Sequence, residues 1–126
     1  MTFIGMRMMA AMLALVAAIS TARAEQPYSP EAFKQAQAAG KSILVDVFAP
    51  WCPTCKAQKP VLSRLEKENP ALTVFKVDFD TDKTALQGFK VQQQSTLIMF
   101  KGAKEVGRSV GDTNPDSIAA LVAKGS

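Results

Sequence analysis

The sequence predicts a single α/β domain, preceded by a short segment that is not part of it. Two observations carry this reading. From Glu25 to Ser126, stretches with helical spacing of apolar residues alternate with short runs rich in β-branched and apolar side chains. Residues that start and stop helices, Ser29-Pro30, Gly40 and Asn114-Pro115, fall at the borders of those stretches, and no repeat, low-complexity tract or long linker divides them.

The preceding segment has the layout of a secretory leader. Arg7 supplies a positive charge, Met8 to Ile19 is an unbroken apolar run, and Ala22-Arg23-Ala24 offers small residues with the spacing of a signal-peptidase site. The run is short for a bilayer-spanning helix. Residues 1–24 are therefore read as a cleavable signal peptide and 25–126 as the domain, with an uncleaved anchor or a buried helix as the competing reading. The mature protein is expected to be exported and not embedded in a membrane.

Within the domain, Ser29-Pro30-Glu31 opens a helix, with Ser29 as N-cap, Pro30 in the first helical position and Glu31 near the positive end of the dipole. That helix is expected to run to about Ala39 and stop at Gly40. Ile43 to Phe48 reads as a strand buried on both faces and interrupted only by Asp46. After Pro50-Trp51-Cys52 the pattern is helical, with Ala57, Val61, Leu62 and Leu65 on one side and an end near Asn69-Pro70. Pro60 lies inside and is expected to kink it. Leu72 to Asp78 alternates as a strand, Asp82 to Phe89 forms a short helix, and Thr96 to Lys101 forms a second apolar strand. Lys101-Gly102-Ala103-Lys104 reads as a hairpin turn into a strand over Glu105 to Val110. Asn114-Pro115-Asp116 then repeats the cap-and-proline signal before a last helix through Ile118, Leu121 and Val122. In such an order, reactive groups are expected at the carboxyl ends of the parallel strands, where Ala49 to Cys55 falls.

Charge argues against nucleic acid as a partner. Loss of Arg7 and Arg23 with the leader lowers the formal charge from +4 to +2, and acids alternate with bases, as in Arg64-Leu65-Glu66-Lys67-Glu68. That alternation is the pattern of a solvated helix face.

The chemistry centres on two cysteines in a chain without histidine. A bond between Cys52 and Cys55 closes too small a loop to tie distant segments together, so a purely structural disulfide explains little. A zinc site within one chain needs further ligands of a kind this sequence lacks. A two-cysteine site for a soft ion such as Cu(I), or a metal shared between chains, is the competing reading. At a strand-to-helix junction, free N–H groups and the helix dipole favour an anion at Cys52 and lower its thiol pKa. Cys55, one turn on and facing the same side, can attack a mixed disulfide formed by Cys52. Asp46, an acid inside an apolar run, is expected to have its pKa raised by desolvation, which suits proton transfer near neutral pH. The bland alternative is that it only hydrogen-bonds to backbone.

The segment Ile43-Leu44-Val45-Asp46-Val47-Phe48-Ala49-Pro50-Trp51-Cys52-Pro53-Thr54-Cys55-Lys56, with Pro60 following, resembles the active-site strand and helix of the thioredoxin family. The similarity continues through Phe75-Lys76-Val77-Asp78 and Ser95 to Gly102 as far as Val110-Gly111. It implies the thioredoxin fold, a central mixed β-sheet flanked by helices, with no metal and no cofactor beyond a redox-active Cys52–Cys55 disulfide. It further implies that Trp51 shelters the site and offers a surface to partners, that Asp46 exchanges a proton with Cys55, and that Lys76 places its charge near Asp46. Pro53, Thr54 and Lys56 complete the immediate surroundings of the cysteines. The function implied is an exported thiol:disulfide oxidoreductase of the protein-disulfide reductase type, with Cys52 as nucleophile and Cys55 as resolving thiol. The alternative is a thioredoxin-like module that holds a soft metal or a partner thiol without turnover. The expected partners are protein thiols and disulfides, with a membrane-bound electron donor as a candidate source of electrons. A monomer working in a bacterial-type periplasm fits this picture.

Two departures from the family pattern stand out. The dipeptide Pro53-Thr54 carries no histidine to stabilise a thiolate, so an intermediate or reducing potential is expected. Ser95 occupies the position before Thr96 where the family usually has a cis-proline facing the cysteines and presenting backbone to the substrate. A cis bond without proline costs about 3 to 4 kcal/mol, so Gln94–Ser95 is expected to be trans. The Ser95 hydroxyl then either bonds to the Cys52 thiolate or satisfies its own loop.

Overall fold

The computed structural model describes residues 25–126, and the expected leader lies outside the described residues. The chain runs β1 (Glu25–Pro27), α1 (Pro30–Ala38), β2 (Ser42–Phe48), α2 (Pro53–Glu68), β3 (Leu72–Asp78), α3 (Lys83–Phe89), β4 (Thr96–Lys101), β5 (Lys104–Val110) and α4 (Pro115–Ala123). The strands form one mixed sheet in the order β1-β3-β2-β4-β5. β2 pairs parallel with β3 and antiparallel with β4, and β4 pairs antiparallel with β5.

Strand β1 is the element that periodicity does not reveal. Its three residues give no alternation to read, and they are held by parallel pairing with β3, from Glu25 opposite Val74 to Pro27 opposite Lys76. As an edge strand it tolerates a proline.

The alternation of side chains along β2 divides the interior into two layers. Leu44 faces Val61, Leu62 and Leu65 of α2 and Ile118, Leu121 and Val122 of α4. Ile43, Val45 and Val47 face the other way, toward Phe33 of α1, Leu86 of α3, Phe75 and Phe100. Asp46, two residues from Leu44, therefore shares the α2 side. The four apolar residues Ile43, Leu44, Val45 and Val47 are each 0% exposed, so each contributes about 1.5–3 kcal/mol over its solvated state.

The capping signals act as expected. Ser29 Oγ accepts from the Ala32 N–H at 3.2 Å, and Asn114 Oδ1 accepts from the N–H groups of Asp116 at 2.8 Å and Ser117 at 3.2 Å. Asn114→Ala is expected to cost about 1 kcal/mol, read as a lowered urea midpoint with an unchanged slope. Helix α1 ends where Gly40 takes φ +68°, and the β4–β5 turn uses Gly102 at φ +57°.

Helix α2 continues through Pro60, which has no N–H to give the carbonyl one turn back. Its buried stripe differs from the expected one. Ala57 is exposed, and the residue turned inward beside Val61, Leu62 and Leu65 is Gln58. The physical reason lies in two backbone carbonyls that Gln58 reaches, at Ser95 and Asp112.

Candidate active site

The site forms where β2 gives way to α2. After Phe48 the chain turns, closed by a hydrogen bond from the Cys52 N–H to the Ala49 carbonyl at 3.1 Å. Cys52 is the N-cap of α2, with extended backbone (φ −82°, ψ 111°), and Pro53 takes the first helical position, where its missing N–H costs nothing. The Cys52 Sγ accepts the Cys55 N–H at 3.1 Å. An N-cap acceptor is the atom toward which the free N–H groups of a helix point, so negative charge on this sulfur is stabilised.

Cys52 and Cys55 are joined as a disulfide, with Cα atoms 5.3 Å apart. In this oxidised form Cys52 is 0% exposed, whereas Cys55 is half-buried. Cys55, and not Cys52, lines a cavity of about 590 Å³ on the α2 side of the sheet. Electrostatics thus favours charge on the first sulfur while solvent reaches the second, a separation that the sequence does not disclose.

The same cavity is lined by Asp46, Lys76, Glu25 and Glu66. Asp46 is 4% exposed and lies opposite Lys76 in the β2–β3 register, with its Oδ2 2.9 Å from the lysine Nζ. Lys76 also lies 3.5 Å from a Glu25 carboxylate oxygen and 4.5 Å from the centre of the Phe48 ring. Asp46 is therefore ion-paired by a side chain, not merely tied to backbone, and Lys76 is not a solvent-facing strand lysine. Burial pushes the Asp46 carboxyl above its ordinary value, against the pull of Lys76 and with a smaller push from Glu25. Burial opposes the charge of Lys76, yet Asp46 and Glu25 together hold its ammonium above the usual lysine value. Glu66 is likewise raised, first by burial and then by Glu25. Of these groups, the sequence reading omits Glu66, although its spacing with Cys55, Lys59 and Leu62 follows one helix face, and Glu25, for which no local signal exists.

Trp51 is 56% exposed, and its indole N–H donates to Asp80 Oδ2 at 2.9 Å. Its ring is thus presented beside the cysteines and held from the loop after β3. Pro53 and Lys56 are exposed on the first turn of α2, and Thr54 is half-buried there.

No cis peptide bond occurs among the described residues, so Gln94–Ser95 is trans as expected. Ser95 is 5% exposed and takes φ +59°, a left-handed conformation unusual for a residue with a side chain. Its N–H donates to the Val47 carbonyl at 2.7 Å, and its hydroxyl donates to the Gln94 carbonyl at 2.6 Å. The hydroxyl therefore satisfies its own turn and is not given to Cys52. Thr96 Oγ1 donates to the Gln93 carbonyl at 2.7 Å and closes the same turn. Ser95→Pro is accordingly expected to destabilise the protein by about 2 kcal/mol or more, because proline cannot adopt positive φ and removes a buried donor. Urea unfolding measures this directly.

A disulfide at a helix N-terminus, over a buried carboxylate–lysine pair at the end of a mixed sheet, is the arrangement of a thiol–disulfide exchange protein. The chain belongs to the thioredoxin family, whose profile matches residues 25–124. It is 42% identical over 99 residues to a thioredoxin of Chlamydia trachomatis, spanning 79% of this chain and 96% of that protein. Thioredoxin-1 of Saccharomyces cerevisiae is 34% identical over 91 residues, spanning 72% of this chain and 87% of its own. Among solved structures, Trxlp from Edwardsiella tarda superimposes with a TM-score of 0.75 at 50% identity, covering 78% of this chain and 97% of that one. The family and the disulfide-forming pair together make the protein a thiol–disulfide oxidoreductase.

Proposed function

We propose that this protein is exported and reduces or exchanges disulfides of protein substrates through the Cys52/Cys55 dithiol. The observation that carries the reading is Cys52 at the N-cap of α2, its sulfur accepting the Cys55 N–H.

In the reduced form the Cys52 thiolate attacks one sulfur of a substrate disulfide, the substrate S–S bond breaks, and the other substrate sulfur leaves as a thiolate. A mixed disulfide now joins Cys52 to the substrate. Cys55 gives its proton to the Asp46 carboxylate and attacks the Cys52 sulfur, forming the Cys52–Cys55 disulfide and expelling the second substrate thiolate. Two electrons pass to the substrate, whose thiolates take up protons. A dithiol donor then returns the pair to its reduced form. The cavity gives Asp46 a route by which its proton reaches solvent.

The test is reduction of insulin disulfides by the purified protein with a chemical dithiol as donor. Turnover by the wild type, reduced to background by Cys52→Ser, is the expected result. Absence of turnover in both forms would favour a binding module instead. Export rests on the pattern of residues 1–24, and the protein recovered from cells is expected to begin at Glu25. An N-terminal sequence starting at Met1 would contradict it.

A further inference from the structure

Gln58 breaks the pattern of its own helix. It stands on the buried stripe of α2, one turn beyond Cys55, and is 1% exposed among Val61, Leu62 and Leu65. Its Nε2 donates to two main-chain carbonyls, that of Asp112 at 2.9 Å and that of Ser95 at 3.2 Å. Among the described residues, its Oε1 is buried and has no hydrogen-bond partner. The reversed amide would set oxygen against both carbonyls, so the orientation is fixed by those acceptors. A buried amide on a stripe otherwise made of Val61, Leu62 and Leu65 carries a desolvation cost that a leucine of similar size would not. Local rules of this kind are broken where another requirement decides the residue.

That requirement is visible at Ser95. A residue with a side chain persists at positive φ only when its surroundings over-determine it. The Ser95 N–H is bound to Val47 of β2, and its carbonyl accepts from the Gly111 N–H at 3.0 Å as well as from Gln58. Gln58 reaches this turn by a side-chain hydrogen bond from the helix bearing the cysteines. It also grips Asp112, whose Oδ1 accepts the Asn114 N–H at 2.9 Å, so the loop entering α4 is fastened to the same point.

We infer that Gln58 is a positioning residue for disulfide exchange, fastening the Ser95 turn to the helix that carries Cys52 and Cys55 and so fixing the edge on which a protein disulfide docks. This rests on the reading of the protein as an oxidoreductase acting on protein disulfides.

The test compares wild type with Gln58→Leu and Gln58→Met, which keep the volume and remove the donor. Steady-state reduction of insulin is measured beside the rate of exchange with a small aromatic disulfide, and thermal midpoints are recorded. Both variants are expected to raise KM for insulin about tenfold, the factor that one ordinary hydrogen bond's worth of positioning represents. Their kcat and small-disulfide rates are expected to stay within about twofold of wild type, while their thermal midpoints fall by a few degrees, since the Asp112 carbonyl loses its donor and the Ser95 turn loses one of its restraints. An unchanged KM, or a parallel loss in kcat and the small-disulfide rate, would overturn the inference. A second measurement needs no variant: the Gln58 side-chain amide protons should exchange with solvent far more slowly than those of exposed Gln35, Gln87 and Gln93 in the same protein. Free exchange at Gln58 would overturn the clamp. A wild type inactive on insulin would instead count against the proposed function, while the amide measurement would still judge the clamp.

Discussion

Cys55→Ser is expected to turn the protein into a trap that forms mixed disulfides through Cys52 and cannot release them. The serine hydroxyl, unlike a thiolate, does not attack a disulfide, so the second step stops while the first proceeds. Insulin turnover should fall to background in both Cys52→Ser and Cys55→Ser, and only the latter should accumulate substrate adducts visible on non-reducing gels. The comparison also resolves the contrast between the two sulfurs. Cys52 holds the N-cap and its N–H contact, whereas Cys55 is the one that lines the cavity. If accessibility in the oxidised form decided the chemistry, adducts would gather on Cys55 of Cys52→Ser. Because thiolate character governs attack, they are expected on Cys52. Peptide mapping of the adduct distinguishes the two.

Asp46→Asn is expected to leave the fold intact and slow resolution of the Cys52 mixed disulfide by about 100-fold at neutral pH, the lower end of what a positioned base contributes. In the wild type, the resolving rate should rise with pH through a midpoint above the ordinary carboxylate range, because burial raises the Asp46 pKa. The Asn variant should lose that rise and follow the ionisation of the Cys55 thiol alone, so the two converge in alkali. Stability carries the same signature. A carboxyl whose pKa is higher in the folded than in the unfolded chain leaves the folded state holding more protons between the two values. Wild-type stability therefore falls as pH climbs from the ordinary carboxylate value through the raised one. Asp46→Asn should lack this decline, as read from urea midpoints across that range. Equal resolving rates in the two proteins would remove Asp46 from the proton-transfer step.

Much of the fold and the centre of the site were legible because their signals are local. The Ile43–Phe48 and Thr96–Lys101 strands are continuous apolar runs, Ser29 and Asn114 cap adjacent turns, and Cys52 and Cys55 lie one helical turn apart. Asp46 could be singled out because an acid inside such a run has few fates. What escaped depends on distant partners. Strand β1 exists only through pairing with β3, so its Glu25 could not be placed beside Lys76 in advance. Gln58 looks like a surface residue in a helix, and its burial is decided by carbonyls 37 and 54 residues away in sequence. Ala57 is small enough to tolerate either face, and it lies exposed because Gln58 takes the inward position. The left-handed turn at Ser95 has no glycine to announce it, since it is imposed by Val47, Gly111 and Gln58 together.

The reduction potential of the Cys52–Cys55 pair tests the central claim most directly. Equilibration of the purified protein against a series of glutathione or dithiothreitol buffers, with the oxidised fraction read by thiol labelling, gives the value. With no histidine between the cysteines to stabilise the thiolate, the pair is expected in the intermediate to reducing range, between about −180 and −270 mV. A value as oxidising as about −120 mV would contradict the account and make the protein a donor of disulfides.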